Sequence, residues 1–171
     1  MDDLVVRLTP QEYHAAVTLG NDTHAICQLQ GLKPRDPEGK VQSEIDGARA
    51  EYAVAKLFGL EPPILNIASD GGIDLWFDDY AIDVKFTKTD SLIFDNVDSF
   101  KADIAVLVRN FGADPRSLAV VGCVGREAFA ANCTVEERKY GRKLCMKADQ
   151  LSPPERLWRE VKRRDLSLIH I

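Results

Sequence analysis

The sequence predicts an α/β domain in which helices flank a small mixed β-sheet. Three observations carry that prediction. Helix-start signals stand near both ends, Thr9-Pro10-Gln11-Glu12 and Ser152-Pro153-Pro154-Glu155. Between them, residues 72–87 alternate apolar and polar with period two, and residues 102–110 are almost continuously apolar. The order is helices, a run of strands, then helices. At 171 residues, 45% apolar and 29% charged, the chain suits a single domain with a real core, needing no disulfide or structural metal.

Residues 4–8 read as a short strand. Thr9 with Glu12 three positions on is a capping box, and Pro10 suits the first helical position, so a helix starts there. Gly20-Asn21-Asp22 is expected to break or kink that helix before it resumes to about Gln30. Residues 31–43, with two prolines and several charges, read as a loop. Residues 44–60 form a helix ended by Gly59. Ile64–Ile67 is a strand candidate. Further strands are expected at 72–77 and 80–87, joined at Asp78-Asp79, and then at 102–110 and 118–124. Residues 126–131 read as a short helix, 137–143 as a basic loop, and 152 to about 164 as a last helix.

No apolar run approaches the ~20 residues needed to cross a bilayer. The opening aspartates do not resemble a secretory signal, so a cytosolic location is expected. Net charge is −5, but its distribution matters more than its sum. From Glu136 onward ten Lys/Arg face six Asp/Glu, a surplus of four cations; the rest has 12 against 21, a deficit of nine. A basic segment on an acidic body permits phosphate binding. Cys27, Cys123, Cys133 and Cys145 show no tight ligand spacing, and intervals of ten and twelve are wide for an iron–sulfur cluster. Reduced thiols are the expectation.

Two features bear on chemistry. On the 44–60 helix, Ala48, Val54, Ala55 and Phe58 mark an apolar face, and Glu51 falls on it, with Glu44 two turns earlier. A glutamate among core positions is costly unless something compensates its charge. The second feature is the hairpin. A two-residue turn at Asp78-Asp79 sets Leu75 opposite Ile82 and Asp74 opposite Asp83. One face is then apolar: Ile73, Leu75, Phe77, Tyr80, Ile82, Val84 and Phe86. The other carries Asp74, Asp83, Lys85 and Thr87. Opposed like charges roughly 5 Å apart destabilise a sheet unless they share a proton, a basic neighbour or a divalent cation. Oxygen ligands suit Mg²⁺ or Mn²⁺. The plain alternative is a surface salt bridge between Asp83 and Lys85.

A helix glutamate, then an aspartate, then Asp/Glu-x-Lys on adjacent strands resembles the PD-(D/E)xK nuclease superfamily. The matching residues are Gly47-Ala48-Arg49-Ala50-Glu51, Gly72-Ile73-Asp74 and Asp83-Val84-Lys85. The resemblance covers about 44–90 closely, with Ile73 where proline is common and Asp83 for the commoner glutamate. It implies a restriction-endonuclease-like αβββαβ core and Mg²⁺-dependent hydrolysis of DNA. Asp74 and Asp83 would be metal ligands, Glu51 a water-orienting residue or further ligand, and Lys85 the catalytic lysine. The chain is also similar to small uncharacterised proteins of tailed bacteriophages, which would place it in the host cytoplasm.

On that reading residues 1–43 are an extension, 44–135 the catalytic core, and 136–171 a basic C-terminal segment. DNA contacts are expected from Thr87, Lys88, Arg138, Lys139, Arg142, Lys143, Arg159, Lys162, Arg163 and Arg164. Basic residues near a helix C-terminus also suit its dipole, which is the structural alternative for the last four. A homodimer acting on branched DNA would use the same chemistry. The rival from another class is a non-catalytic module that binds nucleic acid or a host protein.

Overall fold

The computed structural model describes residues 4–32, 39–65 and 72–160. It is a mixed α/β protein with two sheets. Strand β1 (Leu4–Arg7) leads into helices α1 (Pro10–Leu29) and α2 (Val41–Phe58). Then come β2 (Leu75–Phe77), β3 (Tyr80–Thr87), β4 (Ser91–Phe94), β5 (Ile104–Asn110) and β6 (Ser117–Gly125). Helix α3 (Arg126–Asn132), the hairpin β7 (Thr134–Arg138) and β8 (Gly141–Lys147), and helical residues 154–160 (α4) complete the described chain. The larger sheet runs β1-β6-β5-β3-β2, and the smaller β4-β8-β7. Within the larger sheet only β3 and β5 are parallel neighbours; the other pairs are antiparallel.

The Thr9 capping box forms in full: its hydroxyl accepts from the Glu12 N–H, and the Glu12 carboxylate accepts from the Thr9 N–H. Helix α1 runs unbroken through Gly20. A Cβ there would lie 2.6 Å from Ile45 Cα, so the glycine serves close helix–helix approach rather than chain breaking. Helix α2 starts at Val41, three residues before its expected start, and Gly59 closes it in the left-handed conformation at φ 67°. Residues 64–65 form no strand, and 66–67 lie outside the described residues.

The β2–β3 hairpin has the expected register, Leu75↔Ile82 through Phe77↔Tyr80, with Asp78 at φ 51° in the turn. Its apolar face meets α2: Leu75, Phe77, Ile82 and Val84 share a core with Ala50, Ala53, Val54 and Phe58. Fully burying each such Val, Ile, Leu or Phe side chain contributes about 1.5–3 kcal/mol. The opposite face carries Asp83 and Lys85. It lies under a second core containing Leu92, Phe94, Phe100, Phe129 and Met146. Beyond α3 the described chain adds no strand to the larger sheet, because β7 and β8 pair with β4 instead.

Residues 137–143, expected as a basic loop, belong mostly to the β7–β8 hairpin. Glu137 pairs in register with Arg142, whose Nε donates to the Glu137 carboxylate at 2.6 Å. Alternating opposite charges across a ladder stabilise strands, yet in the sequence they look like a polar connection.

Candidate functional site

The site begins where β2 ends. The ladder with β3 stops at Leu75↔Ile82, and the next residue breaks step. The Asp74 N–H donates to the Ile82 carbonyl at 2.8 Å, while its carboxylate accepts from the Val84 N–H at 2.7 Å. The Asp74 side chain thus takes the place that a strand backbone would have held along β3. Ile73 crosses to the second core instead of joining the apolar face of the hairpin, a correction explained by this break. Asp74 and Asp83 are therefore not a regular cross-strand pair. Asp74 lies at the open edge of β3, and Asp83 projects from the face.

Asp83 is 1% exposed. Its Oδ1 lies 2.7 Å from Lys85 Nζ, as two same-side residues on one strand allow. Its Oδ2 is buried and has no hydrogen-bond partner. Lys85 is itself only partly covered: its side chain is 39% exposed, and its ammonium lies 5.1 Å from the centroid of the Phe94 ring. A buried carboxylate oxygen without a partner is costly. It is also what a cation or a polar ligand would complete.

Glu51 is placed differently. Helix α2 covers the face of Ile82 and Val84, whereas Asp83 and Lys85 project from the other face, beside Ala105 and Leu107 of β5. Among the described residues no group of three or more His, Cys, Asp or Glu is disposed to hold a metal ion. Asp83 and Lys85 are brought together, Asp74 adjoins the same strand, and Glu51 is carried by α2.

The expected DNA contacts divide in the same way. Thr87 is buried, and its hydroxyl accepts from the Thr89 N–H at 3.0 Å, a local turn bond that takes it out of a surface role. Arg138 pairs with Glu136, Arg142 with Glu137, and Lys143 with Asp95. The Arg138 side chain holds the Glu136 carboxyl below its usual range. Most of the hairpin's positive charge is therefore neutralised by its own strands and by Asp95. Lys139 lies 5.0 Å from the Tyr140 ring centroid. Lys88 and Arg159 are exposed, while Lys162, Arg163 and Arg164 lie outside the described residues. Burial pushes the Cys123 thiol up to about 11, which disfavours the thiolate that a metal would need.

Sequence reasoning missed a second charged cluster. Asp46 and Arg49 on α2 form a buried ion pair at 2.8 Å. Arg49 also donates to the Pro115 carbonyl at 2.9 Å and to Asn110 Oδ1 at 2.9 Å. With Lys88 and Asp114 these residues line a polar cavity of about 290 Å³. The i,i+3 spacing of Asp46 and Arg49 was visible in the sequence; their burial under the 110–117 connection was not. Comparison with known proteins finds no matching family model, curated protein or solved structure.

Proposed function

We propose that this chain is a metal-dependent nuclease that hydrolyses phosphodiester bonds of DNA at Asp83, Lys85 and Asp74, with Mg²⁺ or Mn²⁺ as the cation. One observation carries the proposal: Asp83 is a buried carboxylate with one oxygen on Lys85 and the other without a partner. A purely structural salt bridge gains nothing from that orphaned oxygen. The donors fit a hard divalent ion, being carboxylate oxygens with no competing thiolate. The likeness of Gly72-Ile73-Asp74 and Asp83-Val84-Lys85 to the PD-(D/E)xK pattern supports the same reading. So does the succession α2, β2, β3, taken as the start of a variant restriction-endonuclease-like core.

The residues would divide the work by position. Asp83 offers Oδ2 to the cation while Lys85 keeps its carboxyl oriented. Asp74, anchored by the Val84 N–H, presents a second carboxylate from the strand edge. Lys85 reaches solvent and can hold a phosphate oxygen or orient an attacking water. Bound there, a divalent ion supplies Lewis-acid polarisation of the phosphate and a lowered pKa for water. Glu51, carried by α2, would orient a metal-bound water or act as a further ligand.

Incubation with linear, circular, single-stranded and branched DNA, with Mn²⁺ or with EDTA, tests the proposal. Cleavage that needs the metal and disappears in Lys85→Ala is the expected result. Full activity in EDTA would remove the metal from the mechanism. Inactivity across all substrates would favour a non-catalytic module that binds nucleic acid or a host protein.

A further inference from the structure

Beside the candidate site stands an aromatic side chain with little cover. Trp76 is 59% exposed on β2, the edge strand of the larger sheet. It pairs directly with Ala81, and residues paired across an antiparallel ladder point to the same face. Ala81, Asp83 and Lys85 share one side of β3 by alternation. Trp76 therefore projects on the face that carries Asp83 and Lys85, one pleat away. From strand geometry its Cα lies roughly 8 Å from that of Asp83. That separation is about two stacked nucleotides of one DNA strand, at ~3.4 Å each.

Two cations stand at the same end of the sheet. Lys101 packs its side chain against Gly72, two residues before Asp74. The Arg126 N–H donates to the Asp103 carbonyl, Asp103 bonds Ala81 through both backbone and side chain, and Arg126 also reaches the Lys101 carbonyl. Both Lys101 and Arg126 are exposed. A flat apolar ring beside a candidate phosphodiesterase centre, with two exposed cations farther along the same end of the sheet, matches the chemistry of an unpaired nucleotide. The ring takes the base and the cations take the phosphates.

We propose that Trp76 is a base-stacking platform, and that this site takes DNA whose strand is unpaired next to the scissile phosphate. This rests on the nuclease reading of the same face and names its substrate class. Bases inside a duplex are stacked on each other and cannot reach an indole without leaving the helix. Intact duplex is therefore the poor substrate, and single-stranded or frayed ends are the good ones. Stacking does not distinguish one base from another, because every base has a π-face, so the preference is for strand state and not for sequence.

The chain has two tryptophans, so Trp158→Phe leaves Trp76 as the only indole. Fluorescence of that protein is titrated in EDTA with a mixed-sequence single-stranded oligonucleotide, the same length as duplex, and an abasic strand. Quenching by the single strand, weaker by duplex and absent with the abasic strand, is expected. Trp76→Ala should weaken single-strand binding about tenfold, with Trp76→Phe retaining most of it. No quench, an equal quench by the abasic strand, or an unchanged Kd in Trp76→Ala overturns the platform. A concentration-dependent dimer that Trp76→Ala abolishes, with no DNA quench, would assign the ring to a second copy instead. Because the titration contains no metal, the two readings separate. Quenching in a protein that cuts nothing removes the nuclease and keeps the platform; cleavage without quenching does the reverse.

Discussion

Asp46 on α2 and Asp83 on β3 are both buried and both paired with a cation, yet their surroundings are completed to different degrees. Asp46 Oδ1 accepts from Gln42 as well as from Arg49, and Arg49 continues to Asn110 and Pro115. That network ties α2 to the connection between β5 and β6 and leaves the guanidinium buried. Asp83 has one partner, a lysine that is 39% exposed, and one oxygen with none. Arginine's planar fork suits a permanent clamp, whereas a lysine ammonium on a flexible stem can exchange partners. Satisfaction of the acceptors, more than burial of the charge, separates a structural ion pair from a candidate site.

The largest expected effect is on chemistry. Lys85→Ala should lower metal-dependent DNA cleavage by at least about 100-fold while leaving Mn²⁺ binding, read by calorimetry, nearly intact, because the ammonium is no ligand. Normal cutting by this variant would make Asp83–Lys85 a structural pair like the other one. Arg49→Ala should act on stability instead. Leaving Asp46 buried without its partner costs about 3–5 kcal/mol, or roughly 6–20 °C in Tm for a domain of this size. A loss of only a degree or two would show that Asp46 does not depend on the guanidinium for its burial.

Metal linkage sharpens the contrast. Asp83→Asn should melt in EDTA at or above the wild-type temperature, since it neutralises a carboxylate with an unpaired oxygen. At a tenfold excess over its Kd, Mn²⁺ should stabilise wild type by about 1.4 kcal/mol, or roughly 3–6 °C. Arg49→Ala should gain the same increment, and Asp83→Asn little or none. Equal gains in all three proteins would place the cation elsewhere.

The smallest effect lies at the clamp end of the molecule. The Asp114 carboxyl is held down at about 2, chiefly by the hydrogen bond from the Arg116 side chain and then by the Arg116 N–H. Its folded pKa is below the ordinary value of 3.8. Its contribution to stability is therefore complete above that value and is lost as pH falls toward 2. Asp114→Asn should flatten the dependence of Tm on pH in that window alone. An unchanged slope would mean that the Arg116 and Arg7 contacts are not populated in solution.

Much of the local structure can be read directly from side-chain order. Strand β3 has the expected ends, the β2–β3 register is set by a two-residue turn, and the Thr9 capping box and Gly59 terminus lie where their chemistry requires. These features depend on contacts within a few residues, so local propensity and alternation decide them. Alternation likewise places Asp83 and Lys85 on one side of a strand. It does not say what covers that side, and here a second core and a second sheet bury Asp83 almost completely. Nor could it show that Ile73 crosses to the other core, or that Lys143 of β8 pairs with Asp95, 48 positions away. Each of these turns on which distant segment packs where. Long-range packing decides it, and no run of neighbouring residues encodes it.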